Sequence, residues 1–381
     1  MAKTNIQIFY DSSTNVYANG QLVRGYVILE LEKEMKARAV VLYMIGKADT
    51  HWTRKRGNST DTIKDTEACM NNKTILWNDS TNEILLKGTH RYDFSFNLPL
   101  NCPPSFEGTF GHIRYYVKVN IDIPWKFDKK EISAFSVIPC FDLNTIPSSI
   151  NSAMMESMKN IGFICKNGSI CARVAIPKMG YVPGETIWAQ IEVNNTSSCD
   201  IEGIEASLME LSRFHGRHSG YSVSKTHSRL VAKSRKEVNI QEKQTLTERI
   251  SLQIPLIAPS FNNCRIIQVD YQLEVEIDAH GFFNDNKIEI PILIGTYPLK
   301  NIPIDTPANP TIVPDHDPPP TYGESIFGAK KMVHEDEDAK HFINFKPKYR
   351  SFPLASSTMR PIIFPQGSMI ENSKSDGCVI S

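Results

Sequence analysis

Phe94-Ser-Phe-Asn-Leu-Pro99, followed by Pro104-Ser-Phe106 and then Tyr115-Tyr-Val-Lys-Val119, decides the fold, because these landmarks return in the same order. They return as Ile250-Ser-Leu-Gln-Ile-Pro255, Pro259-Ser-Phe261 and Tyr271-Gln-Leu-Glu-Val275. Upstream of each set a strand opener recurs too: Tyr17-Ala-Asn-Gly20-Gln-Leu-Val23 and Tyr181-Val-Pro-Gly184-Glu-Thr-Ile187. The glycine stands where a tight turn needs backbone freedom. So long a period excludes a solenoid and implies two related domains in tandem. Within the first, Gln21–Leu31, Ala39–Gly46 and Tyr115–Ile123 are alternating or continuous apolar runs bounded by turns, and nothing before Pro298 sustains a helical period. The fold class is therefore all-β, two sandwiches. Their spans are 1–143 and 161–297, with a linker at 144–160 and a tail from 298 to 381. Met154, Met155 and Met158 in the linker suit adaptable packing between domains.

The 381 residues carry 42 Lys+Arg against 42 Asp+Glu, a balance that argues against general nucleic-acid binding. The first ten residues alternate like a strand and lack the basic start and apolar core of a secretory signal. Eight cysteines without close, even spacing are accordingly expected as reduced thiols. That includes Cys165 and Cys171, read as diagonal neighbours across a turn at Lys166–Ser169. The sequons at Asn58 and Asn195 are expected to stay unmodified. From Pro298 onward lie twelve of the 23 prolines and the acidic run Glu335-Asp-Glu-Asp338, so this segment is expected to be disordered, to pack against nothing and to work through short motifs.

The paired Tyr-x-x-Gly openers, Gly46-Lys-Ala-Asp-Thr-His-Trp52, Ile113-Arg-Tyr115, the closing Pro291-Ile-Leu-Ile-Gly295 and the proline-rich tail together resemble the α-arrestins. The resemblance covers both sandwiches. It implies the arrestin fold and a non-enzymatic, cytoplasmic adaptor for membrane receptors or transporters, recruited to the plasma membrane and endosomes.

Pro319-Pro320-Thr-Tyr322 is a PPxY motif. Consecutive prolines hold a polyproline II helix before binding and stack in an aromatic groove, while the tyrosine fills a second pocket. The resemblance implies that such a motif recruits WW-domain HECT-type ubiquitin ligases for ubiquitination, endocytosis and sorting. The alternative is a ligase-independent sorting scaffold at endosomal membranes. A second motif is expected in this family, but Lys346-Pro-Lys-Tyr349 lacks the first proline. Cys378-Val-Ile-Ser381 fits a C-a-a-X box, which makes Cys378 a farnesyl acceptor.

Arg213, Arg217, Lys225, Arg229, Lys233, Arg235 and Lys236 occupy a stretch without one acidic residue. It reads as a surface for acidic lipid or phosphate, and the acidic run of the tail is its electrostatic complement. His215, His218, His227 and Cys199 lack finger-like spacing and sit among arginines that oppose a cation, so no metal is expected. Cofactors are likewise not expected. No hydrolase elbow, Walker loop, dinucleotide fingerprint or zincin motif is present.

Overall fold

The computed structural model describes residues 4–125, 127–160, 168–279, 286–300, 342 and 345–349. The N-terminal domain holds β1 (Thr4–Tyr10), β2 (Val16–Ala18), β3 (Leu22–Leu31), β4 (Met35–Lys36), β5 (Ala39–Arg56) and β6 (Ser59–Asn78). It continues with β7 (Ile84–Leu85), β8 (Gly88–Asn97), β9 (Phe106–Gly108), β10 (Gly111–Asp122) and β11 (Lys129–Ile138). The C-terminal domain holds β12 (Ala153–Asn160), β13 (Ser169–Ile176), β14 (Gly180–Tyr181), β15 (Thr186–Asn195) and β16 (Ile201–His218). β17 (Tyr221–Ile240), β18 (Gln244–Gln253), β19 (Ile267–Ala279) and β20 (Asn286–Ile294) complete it. Two 3-10 turns, Leu143–Thr145 and Pro147–Ile150, are the only helical elements of more than one residue among the described residues.

In the first domain the sheet β1-β3-β8 faces the sheet β6-β5-β10-β11-β2, with β9 beside β10. The second repeats the plan: β12-β13-β15-β18 faces β14-β20-β19-β16, with β17 outside β16. The facing sides are packed with apolar residues, for example Val23, Val27 and Leu29 on β3 against Val40, Leu42, Val117 and Val119, as alternation at period two requires.

The repeat extends to single hydrogen bonds. The Tyr115 hydroxyl donates to the Pro103 carbonyl at 2.7 Å and the Tyr271 hydroxyl to the Ala258 carbonyl at 2.8 Å. Ser105 Oγ accepts from the Val137 amide and Ser260 Oγ from the Ile294 amide. β2 runs parallel to β11 as β14 does to β20. Each Pro-Ser-Phe segment is thereby bound to the last long strand of its own domain.

Three expectations change. Residues 153–160 form β12, paired with β13 from Ala153↔Ile176 to Asn160↔Ser169, so half of the expected linker is an edge strand. Its methionines face outward, 37 to 49% exposed, rather than filling a gap between domains. The register, with Asn160 opposite Ser169 and Cys171 opposite Met158, differs from the one expected of a tight turn at Lys166–Ser169, in which Cys171 faces Ile164. Cys171 is disulfide-bonded, with its partner outside the described residues, which corrects the reading of it as a reduced thiol. Lastly, part of the tail does pack: Phe342 and Phe345 lie against Tyr116, Ile132, Ala134 and Ile45 of the N-terminal domain. Two phenylalanines in a proline-rich, charged context carry too weak a pattern to be read from sequence.

Candidate functional site

The long hairpins β5–β6 and β16–β17 bring the two domains together. Ser219 (φ 48°) and Gly220 (φ 84°) form the two-residue link of the second hairpin, where both positions need left-handed backbone. β16 runs antiparallel to β19 as far as Phe214 and then reaches β6 at Arg217↔Lys64, so strands of both domains continue as one eleven-stranded sheet. Thr50 Oγ1 donates to the His215 carbonyl at 2.7 Å.

Beside this crossing lies an apolar contact. The Phe106 and Phe261 rings are 5.7 Å apart, and Phe110 meets Phe214 at 5.8 Å. Gly216 permits it, since a Cβ there would stand 2.5 Å from Ile63 and 3.0 Å from Trp52. Around the rim run ion pairs from acidic β6 to basic groups of the C-terminal domain. Arg217 and Arg265 both reach Asp65, at 3.2 and 3.4 Å, and the Arg265 amide donates to Glu67 at 2.8 Å. His218 Nε2 is 3.6 Å from Asp61.

The structure spreads the predicted basic stretch along β16 and β17 and supplies most of it with carboxylates from neighbouring strands. Arg229 is held by Glu210, Lys233 pairs with Glu205 at 3.4 Å, and Arg235 with Glu237 and Asp278 at 2.7 and 2.8 Å. Lys236 pairs with Glu248, and Arg217 with Asp65 as described. Arg213 donates to Gln268 at 3.1 Å, and the Lys225 ammonium sits 3.8 Å from the Phe110 ring centroid. Glu237 stands two residues from Arg235 in the chain, but the other partners come from the facing strand β16 and from β6, β18 and β19, which only the fold makes neighbours. His227 packs against Phe110 at 5.8 Å, and burial pushes its pKa below the ordinary imidazole value.

Burial also pushes the thiols up: Cys69 to about 12, Cys102 and Cys264 to about 11. Cys102 and Cys264 are buried and Cys69 is half-buried, and a raised pKa keeps a thiol protonated at neutral pH. Asn195 is wholly buried, its amide donating to the Cys199 and Ile240 carbonyls at 2.7 and 2.9 Å, so the folded domain has no room for a glycan there.

Pro319, Pro320, Tyr322, Glu335–Asp338 and Cys378 lie outside the described residues. Tyr349, of the incomplete second motif, is described, and its hydroxyl donates to the Ser105 carbonyl at 3.1 Å. No helix among the described residues is long and apolar enough to cross a membrane.

Residues 6–144 match the family model described as arrestin (or S-antigen), N-terminal domain, and residues 166–299 match the arrestin C-terminal domain. Arrestin domain-containing protein 17 of Caenorhabditis elegans is 30% identical over 304 residues, 77% of this chain and 70% of that protein. Arrestin domain-containing protein 4 of Mus musculus is 28% identical, covering 76% of this chain and 71% of its own length. Arrestin domain-containing protein 5 of Homo sapiens is 23% identical, covering 73% and 84%.

Proposed function

The chain belongs to the arrestin family, in its α-arrestin branch, and on that footing we propose that it links membrane cargo to a WW-domain HECT-type ubiquitin ligase. Membership carries the adaptor role in general. The finer reading rests on one observation, the Pro319-Pro320-Thr-Tyr322 motif placed after both arrestin domains. The two domains meet the receptor or transporter, the motif meets the ligase, and the work of the protein is proximity. Holding ligase and cargo lysines on one scaffold raises their effective concentration, so no chemistry by this chain is required. Ubiquitination would then lead to endocytosis and endosomal sorting. Within the basic stretch, Arg213 and Lys225 are the groups proposed to meet acidic lipid or phosphate, because the other five are engaged in carboxylate pairs.

Tyr322→Ala is the test. Removing the ring that fills the WW pocket takes away an anchor contact of about 2 kcal/mol or more, so ligase capture by immobilised chain falls at least about tenfold while thermal unfolding is unchanged. Equal capture by the native chain and the variant would leave the ligase-independent scaffold as the better reading.

Cys378 is proposed as a farnesyl acceptor. One lipid chain binds membranes only reversibly, so cargo or the basic surface supplies the second attachment. Mass spectrometry of the C-terminal peptide from cells reads this directly: a free thiol on an intact Cys-Val-Ile-Ser end contradicts it.

A further inference from the structure

β10 begins beside the domain crossing, at Gly111↔Thr50, and ends at Asp122↔Ala39, a run of about 35 Å at the rise of an extended strand. Its hairpin with β11 therefore stands at the end of the N-terminal domain that lies away from the crossing. The turn is tied on both sides. Ile123 is buried, and the Asp128 carboxylate accepts from the Ile123 amide at 3.2 Å and from Asn120 Nδ2 at 2.8 Å. Between these anchors Trp125 and Phe127 are fully exposed, at 102 and 100%. Trp125 also has φ 58°, a left-handed backbone that bulky residues rarely adopt. Trp52 is buried and Trp77 and Trp188 are half-buried, so Trp125 alone of the four tryptophans stands open to solvent.

The same end carries further exposed apolar side chains. β4 and β7 reach it, since the Arg38 amide donates to the Asp122 carbonyl at 2.8 Å and the Ala37 amide to the Glu83 carbonyl at 2.9 Å. Leu86, just after β7, is 63% exposed, and Ile84 is 36% exposed. The exposed charges near them are close to balanced, Lys33, Lys36 and Lys87 against Glu32 and Glu34.

We propose that this end of the N-terminal domain inserts into the interface of a lipid bilayer, with Trp125 and Phe127 as the inserted pair and Leu86 beside them. Three observations select lipid as the occupant. The apolar side chains come from separate loops and stand out from the end of a sandwich, a shape that a deformable apolar phase covers without a matching partner surface. In the chain the two rings alternate with charge, as Trp125-Lys-Phe127-Asp-Lys-Lys130. A tryptophan seats its apolar body at headgroup level while lysine stems let their ammonium groups stay in water. The balanced charge gives no strong field to select an acidic peptide or a phosphate, so burial of the rings is the driving term. The site rests on neither Arg213 and Lys225 nor Cys378, and it is separate from the ligase motif.

The experiment uses the full chain with Cys378→Ser in every arm, so that no attached lipid contributes. The probes are vesicles of phosphatidylcholine, alone or mixed with phosphatidylserine, each prepared with and without brominated acyl chains. The reference chain is expected to sediment with both kinds of vesicle at low and at high salt, and the brominated chains to quench part of its tryptophan fluorescence. Trp125→Asn with Phe127→Ser lowers vesicle partition about tenfold or more and removes the quenching. Asparagine accepts left-handed backbone and both positions are fully exposed, so thermal unfolding of this variant does not fall. Arg213→Ser with Lys225→Ser leaves the quenching in place. Equal partition of the reference chain and the aromatic variant, quenching that survives in that variant, or no sedimentation with phosphatidylcholine alone overturns the proposal. Binding that needs phosphatidylserine and is lost in salt would assign membrane contact to the basic surface instead.

Discussion

Three buried tyrosines carry different hydrogen-bonding situations in similar surroundings. Tyr115 and Tyr271 each satisfy a buried carbonyl, at Pro103 and Ala258. Tyr181 is wholly buried, and its hydroxyl has no hydrogen-bond partner among the described residues. A carbonyl deprived of its donor costs about 1–3 kcal/mol, whereas deleting a buried, unsatisfied hydroxyl relieves a desolvation penalty. Tyr115→Phe is therefore expected to lower stability by about 1–3 kcal/mol and Tyr181→Phe to raise it by about 1 kcal/mol. Chemical denaturation at constant m-value checks both, and the same sign for the two would refute the assignment. The repeat made the pairing of Tyr115 with Tyr271 legible in sequence. That each hydroxyl ends on the residue before a Pro-Ser-Phe segment was not, because nothing in a string of letters tells where a phenol points.

Strands were more readable than their ends. β3 and β10 fall within a few residues of the alternating runs that announce them, but β5 continues ten residues beyond Gly46, through the basic Arg54-Lys-Arg56. Its alternation persists to Trp52 with polar residues on the wetted side, and the eye stops where charge begins. β12 was hidden for another reason. As an edge strand it has methionine and charge on its open side, which reads as connection until its partner is known. β16 shows what such lengths accomplish: only the last turn of its path, past Phe214, leaves its own domain to meet β6. Gly216 is the position where that arrival is tightest. Gly216→Val would force a side chain into Ile63 and Trp52, and overpacking of this kind costs about 1–3 kcal/mol. Calorimetry is expected to show a lower midpoint, and an unchanged thermogram would mean that the crossing is loosely packed.

At the scale of the molecule, charge and apolar contact compete to hold the domains. Arg217 and Arg265 are 62% and 54% exposed at the side chain, so their pairs with Asp65 contribute at most about 1 kcal/mol each and are screened by salt. Burying Phe106, Phe214 and Trp52 is worth about 1.5–3 kcal/mol apiece. The apolar term wins. Small-angle scattering is expected to give the same radius of gyration from about 0.05 to about 1 M salt; an expansion at high salt would reverse that ranking.

The Phe106–Phe261 contact carries one more consequence. These residues occupy the same place in the two repeats, so the rings touch as equivalent points touch across the axis of a symmetric dimer, where a surface meets its own image. The chain is thus a pair of like subunits fused into one polypeptide, with self-recognition kept at its centre. The rim is where likeness ends, with Asp61, Asp65 and Glu67 on one half facing Arg217, His218 and Arg265 on the other. An axis of near-identity surrounded by a ring of opposite signs lets the halves find one another by shape while fixing which half is which.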